Sequence, residues 1–277
     1  MNQLAVRSRT LRLVSLGLLL SLAAAGSPAL GWTPDEIERF LLSAQVSASR
    51  TLTEGVTNSQ LATLSDGKST HEAQIQTVDI SKPSYPTAKG WELNFRDYWG
   101  YNVAAYRLSQ MLNMDCVPVS VQREIDGKPA AVTWWIDDVL MTEKTRFFSK
   151  VNPPDVAQWN RQMYGVRVFD QLIYNTDRNL GNLVITRDWK IWMVDHTRAF
   201  RRHPDLENPK QLIRCERGML EGMRRLDPLT LTRELGEYLV RQEIDALLAR
   251  RDKIVEYFDR QIAERGENAV LLDGEER

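Results

Sequence analysis

The chain has 277 residues, 26% of them charged and 43% hydrophobic, with 36 basic against 37 acidic side chains and a formal net charge of −1. Nothing in that balance offers the positive surface that recognition of nucleic acid requires. The length suffices for one two-lobed domain or two small ones.

Residues 1–31 read as a secretory signal. Arg7, Arg9 and Arg12 supply a basic start, Leu13–Ala25 an apolar run interrupted by Ser15, Gly17 and Ser21, and Ala29-Leu30-Gly31 a small-x-small cleavage site. The run is short for a membrane span. No cysteine lies near the cleavage site to take a lipid, and the arginines are not adjacent as a twin-arginine signal wants. An uncleaved anchor is the alternative. Cleavage after Gly31 leaves 246 residues with 33 basic and 37 acidic side chains, expected to be secreted or periplasmic with no stable membrane span. Cys116 and Cys215 are able to pair in an oxidising compartment, but they show no spacing pattern, and free buried thiols are the expectation.

Thr33-Pro34-Asp35-Glu36 is a helix start with Thr at the cap, Pro at the first position and Glu at the third. Ile37, Phe40, Leu41 and Ala44 share one face and predict a helix over 34–48. From Thr51 to Ile80 the runs are β-prone, with Leu61–Leu64 and Glu72–Val78 on either side of the turn Ser65-Asp66-Gly67-Lys68. Residues 96–113 predict a helix with Val103, Tyr106, Leu108 and Met111 among its apolar positions. Val117–Val121 and Ala131–Ile136 flank the turn Asp126-Gly127-Lys128 as a second hairpin. The order expected is helix, hairpin, helix, hairpin.

Asp155–Tyr174 is the strongest helix of the chain, apolar at Val156, Trp159, Met163, Val166, Phe169, Leu172 and Ile173. Pro209–Leu226 and Leu235–Ala263 predict two closing helices, the charges Arg250, Arg251, Asp252 and Lys253 forming a solvated face. Gly266 onward reads as a frayed tail.

The stretch that carries chemistry is Tyr174–Phe200, YNTDRNLGNLVITRDWKIWMVDHTRAF. Leu183-Val184-Ile185 and Ile191–Val194 read as short strands joined at Arg187-Asp188. Such a hairpin returns the loop bearing Asp177 and Asn182 to Asp195, so that three oxygen-bearing side chains can face one pocket. One carboxylate to deprotonate a hydroxyl and oxygen ligands for magnesium are what phosphoryl transfer needs. Asp and Asn are also ordinary turn formers, so a lone D-x4-N carries little weight.

With Asn182 five residues after Asp177 and Asp195 thirteen after Asn182, the stretch resembles the catalytic loop and metal-binding Asp of the protein-kinase-like superfamily. No glycine follows Asp195. DHTRAF and DRNLGN resemble instead the atypical branches: phosphatidylinositol 3- and 4-kinases, HipA-type kinases, and the secretory-pathway kinases related to four-jointed and the Golgi casein kinase.

The resemblance implies an α+β, two-lobed protein-kinase-like fold, with a small β-rich N-lobe over residues 32–140, a mostly helical C-lobe over 141–265 and a tail over 266–277. It implies Asp177 as catalytic base, Asn182 and Asp195 as ligands of Mg or Mn, and Arg178 or Arg198 as a phosphate or loop-ordering cation. The cofactor implied is ATP or another nucleoside triphosphate, its adenine near the hinge Asp137–Met141 among groups such as Trp135 and Met141. Trp134 and Trp135 are adjacent in a strand, so only one of them can line the cleft. Gly55 would lie in the loop over the phosphates, and its reading as a simple turn residue stands beside that one. His196 would orient Asp195 or join the metal shell.

The lysine and glutamate that such kinases pair across the small lobe align with Gln76 and Asn102. Two amides can still hydrogen-bond, but they bring no positive charge to the phosphates. Lys68, Lys82 and Lys89 stand nearby in expected turns or loops. Three readings stay open: a different alignment, a cation from elsewhere, or a pseudokinase. The implied partners are the nucleotide and a hydroxyl acceptor on a protein or small molecule, with either phosphorylation or nucleotidylation as the reaction. The alternative is an extracytoplasmic binding or scaffold protein on a retired kinase fold.

Overall fold

The computed structural model describes residues 31–51, 59–87 and 90–273. Residues 1–30 of the expected signal, Gly55 and Lys89 lie outside the described residues. The body formed from Thr33 onward begins with helix α1, Pro34–Ser43, closed at its start by a reciprocal cap. Glu36 N–H donates to Thr33 Oγ1 at 3.3 Å, and Thr33 N–H donates to the Glu36 carboxylate at 2.8 Å. The helix stops five residues before the expected end, and Gln45–Thr51 form strand β1. The apolar face runs out after Ala44, and Ser47 bonds across to the Thr63 carbonyl at 3.0 Å rather than serving a helix.

β1 is the edge of a five-stranded antiparallel sheet in the order β1-β2-β3-β7-β6, where β2 is Gln60–Ser65, β3 Thr70–Gln76, β6 Ser120–Ile125 and β7 Lys128–Trp134. The second expected hairpin is β6–β7. Its two-residue turn has Asp126 and Gly127 at φ 51° and 72°, the left-handed pair that a tight hairpin requires. Helix α2, Gly100–Met111, is buried along most of its length and packs on β6 and β7. α1 packs there as well, and Arg123 holds it by donating to the carbonyls of Leu41 (2.9 Å) and Ala44 (2.8 Å) at its C-terminal end.

Between β3 and α2 stands a hairpin that the sequence pattern did not predict: β4, Asp79–Thr87, paired with β5, Gly90–Tyr98. It takes residues 96–98 from the expected helix, and it places Lys82 in a strand rather than a turn or loop. Pro83, Pro86 and a run of exposed side chains in β4 hide the alternation that marks a half-buried strand.

The expected hinge leads into β8, Val139–Thr142, which joins β9, Leu183–Thr186, and β10, Ile191–Met193, in the sheet order β10-β9-β8. The expected hairpin around Arg187-Asp188 is thus β9–β10. After the short α3, Glu143–Phe148, comes α4, Val156–Ile173, capped by Asp155, whose side chain accepts from Gln158 N–H at 3.0 Å.

The closing region is three helices and a docked end rather than two helices and a loose one. Strand β11, Cys215–Glu216, leads into α5, Arg217–Arg225. Asp227 caps α6, Pro228–Leu235, with proline at its first position. α7 spans Arg241–Arg265, α8 spans Glu267–Val270, and β12, Leu271–Leu272, pairs in parallel with β11. Val270 and Leu271 are buried, so the chain end described through Asp273 is not frayed over these residues.

Nor is the face of α7 at Arg250 solvated. Arg250 is fully buried and donates to the carbonyls of Leu172 and Arg201, both at 2.8 Å, and of His203. Burial pushes its guanidinium down to about 9. Cys116 and Cys215 are free thiols, and burial pushes both up to about 12. The native protein at pH 8 should therefore react with a thiol reagent roughly a thousandfold more slowly than the unfolded chain, whose thiols ionise near the ordinary ~8.5. Cys215 is buried and Cys116 partly buried, and rapid native labelling at Cys215 would contradict that burial. Among the described residues no helix is long and apolar enough to cross a membrane.

Candidate active site

The loop after α4 is built from its own polar side chains. Tyr174 ends the helix in the left-handed region at φ 48°. Asn175 Oδ1 accepts from Asp177 N–H (3.0 Å), Asn179 Oδ1 from Gly181 N–H (2.8 Å), and Asn182 Nδ2 donates to the Asp177 carbonyl (3.1 Å). Across the base lies Arg178, whose Nε donates to Asp170 at 3.0 Å and whose Nη1 donates to the carbonyls of Asn182 (2.9 Å) and Val194 (2.7 Å). Val194 N–H in turn donates to the Asn182 carbonyl at 3.0 Å. One guanidinium thus fixes the Asp177–Asn182 loop to the residue before Asp195.

Of the two uses expected for Arg178, phosphate cation or loop-ordering cation, this is the second. Four of its five N–H groups face Asp170 or backbone carbonyls, so it positions the loop and is not disposed to act on a phosphate. Arg198 is differently placed. Its Nη1 lies 3.5 Å from Asp177, its Nη2 lies 3.5 Å from Glu92, and its buried Nε has no hydrogen-bond partner.

Asp195, at φ 54°, accepts from Thr197 Oγ1 at 3.0 Å and from Gln76 Nε2 at 3.5 Å. Gln76 Oε1 accepts from Asn102 Nδ2 at 2.5 Å, and Asn102 Oδ1 accepts from His196 N–H at 2.8 Å. The two amides at the expected lysine and glutamate positions therefore meet, and they connect β3 and α2 to Asp195 and His196. The His196 ring makes no hydrogen bond to Asp195 through Nε2. It is buried edge-on to Phe169, its Nε2 has no partner, and burial holds its pKa well below the usual value, so it is neutral.

Trp134 lies 6.0 Å from Phe40 of α1 and stacks on His71, which leaves the opposite face of the sheet to the half-buried Trp135. Met141 lies on β8 opposite Ile185 of β9, and β9 pairs with the strand that leads to Asp195.

Sequence reasoning missed two carboxylates, both on the unpredicted β5. Glu92 lies 2.6 Å from Arg201 and 3.5 Å from Arg198, so an ionic chain runs Asp177–Arg198–Glu92–Arg201. Asp97 is buried, and its Oδ1 has no hydrogen-bond partner. Burial raises its pKa against a hydrogen bond from Thr197, and the charge of Asp195 raises it further. Burial likewise raises Asp177, with Arg198 opposing.

The donor set suits a hard divalent ion: carboxylate and amide oxygens rather than thiolate or imidazole. Asp97 Oδ1, buried without a donor and within the field of Asp195, is the kind of atom such a charge would satisfy. Among the described residues no three His, Cys, Asp or Glu side chains form a ready cage.

No protein-family model matches the chain, and no curated protein matches its sequence. Solved structures do match. The structure of hydra Fam20 with sugar superposes with a TM-score of 0.64 at 13% identity, covering 87% of this chain and 92% of that one. The Golgi casein kinase with Mn/ADP bound gives 0.59 at 15% identity, covering 88% and 80%. A further structure of the Golgi casein kinase gives 0.58 at 13% identity, covering 86% and 77%. The chain has an atypical protein-kinase-like fold. This kinase-like fold is α+β, with the five-stranded sheet and its two helices in one part and α4 to α7 in the other.

Proposed function

We propose that this chain is an exported atypical kinase, transferring phosphate from a metal–nucleotide complex to a hydroxyl on a protein. The observation that carries the reading is the single assembly of Asp177, Asn182 and Asp195, which Arg178 holds together through Asp170 and two carbonyls. Asp177 would orient and deprotonate the acceptor hydroxyl. Asn182 and Asp195 would hold Mg or Mn, which neutralises charge on the transferring phosphate when bound. Arg198, beside Asp177 with a free donor, would supply the cation that Gln76 and Asn102 do not. Trp135 and Met141 would border the adenine, and the two lobes would divide near residue 140. Support for export is the basic start and apolar run of residues 7–25, together with a neighbour that is by name a Golgi enzyme.

One observation favours a second reading, a pseudokinase acting as a scaffold. The amides of Gln76 and Asn102 satisfy each other and put no charge in the cleft. Thermal-shift titration of residues 32–277 with ATP and other nucleotides, with and without Mg or Mn, separates the two. Stabilisation that grows with nucleotide and requires metal is expected, about 2.7 kcal/mol at a hundredfold excess over Kd. Asp195→Ala should abolish it and leave the fold intact. No response to any nucleotide from folded protein would favour the scaffold, and unchanged affinity in the variant would remove Asp195 from the metal site.

A further inference from the structure

A cavity of about 270 Å³, whose lining includes neither Asp177 nor Asp195, opens between the β4–β5 hairpin, the Phe200–Arg202 segment and the start of α7. Four basic side chains line it: Lys82 from β4, Arg96 from β5, and Arg201 and Arg202 from the segment that follows Asp195. Tyr101 and the buried Glu243 also line it.

The hydrogen-bonding of these groups is lopsided. Glu243 is satisfied without the arginines, accepting from Tyr101 Oη at 2.6 Å and from Val240 N–H at 3.0 Å. Arg96 and Arg202 each stand 3.9 Å from it, at the outer limit of an ion pair. Arg201 is committed to Glu92 at 2.6 Å. Lys82 lies over the Tyr85 ring at 4.8 Å. Arg96 also stands 3.9 Å from the half-exposed Asp79, so Lys82, Arg96 and Arg202 face two carboxylates, Glu243 and Asp79, and one positive charge is in surplus around an open space.

We infer that this cavity binds a phosphate-monoester dianion, at a site distinct from the nucleotide cleft. A phosphate monoester carries about two negative charges at neutral pH and presents three strong acceptor oxygens, which offers each of the three cations an oxygen to bond. Guanidinium groups suit it further because they donate two parallel bonds to a tetrahedral oxyanion. A carboxylate carries one negative charge and offers only two oxygens. Since Arg202 lies seven residues after Asp195 and Lys82 on a separate hairpin, an anion between them would tie that segment to β4.

The test is a titration of the mature protein, without nucleotide or metal and at constant ionic strength, with inorganic phosphate and separately with O-phosphoserine, read by thermal shift and by isothermal calorimetry. Saturable binding is expected, unchanged in Asp195→Ala and weakened at least tenfold in Lys82→Ala/Arg202→Ala. Tighter binding of O-phosphoserine identifies an esterified ligand, and tighter binding of inorganic phosphate a free one. Should the double variant fail to fold, Lys82→Glu alone, on the exposed face of β4, gives the same readout. No saturable binding, binding lost in Asp195→Ala, or binding unchanged when Lys82 and Arg202 are removed would each overturn the inference.

Discussion

An Arg178→Ala protein is expected to lose roughly 3–5 kcal/mol of stability, the cost of stripping one partner from a buried ion pair. Both partners are about nine-tenths buried, and Asp170 keeps only Asn175 Nδ2, at 3.4 Å, when the guanidinium goes. In a domain of this size the loss reads as a fall in Tm of about 10 °C. Adding Asp170→Asn should recover part of it, because the stranded charge rather than the missing contact is the larger cost. The sign with pH follows from Asp170, whose pKa is already raised by burial and held back by Arg178. Without Arg178 it rises further, so the folded state holds a proton that the unfolded chain releases near ~3.9. The deficit against wild type is then smallest below that value and grows as pH rises through the folded pKa. A deficit independent of pH, or a Tm within 2 °C of wild type, would mean that the clamp is not what holds the loop.

The neighbouring residue should behave oppositely. Asp177→Asn is expected to cut transfer by about 10²–10⁴, the usual range for a general base, while leaving Tm and metal-dependent nucleotide binding near wild type. Asp177 is half-buried, its hydrogen bonds in the loop run through its backbone, and among the described residues its carboxylate pairs only with Arg198, at 3.5 Å, so the fold depends little on its charge. Because burial raises its pKa, the acid limb of the rate profile should lie above the ordinary carboxylate range, and the variant should lack it. Full activity in Asp177→Asn would move the base elsewhere, and Glu92 would be the next carboxylate to test.

The loop and its hairpin were legible in the sequence for a physical reason. Asp and Asn punctuate turns, and two short apolar runs between them leave few ways to fold. The cap of α1 and the core face of α4 were legible on the same grounds. What lay hidden was the direction of charged side chains. The sequence places Arg178 beside Asp177, but its guanidinium turns back to Asp170, eight residues upstream in the last turn of α4. Arg250 sits in a run of charges that reads as solvated, yet it is fully buried against three carbonyls. Glu92 and Asp97 were missed with the whole β4–β5 hairpin, whose prolines and exposed residues erase the period-two signal.

The amide pair of Gln76 and Asn102 has a consequence beyond the charge it omits. A lysine–glutamate bridge is screened by salt and can be drawn apart by a competing charge. Two buried amides, 2% and 4% exposed, have nothing for salt to screen and no proton to gain or lose near neutral pH. The spacing of β3 and α2 is set by a ruler rather than by a switch, and it should read the same in dilute buffer and in strong brine.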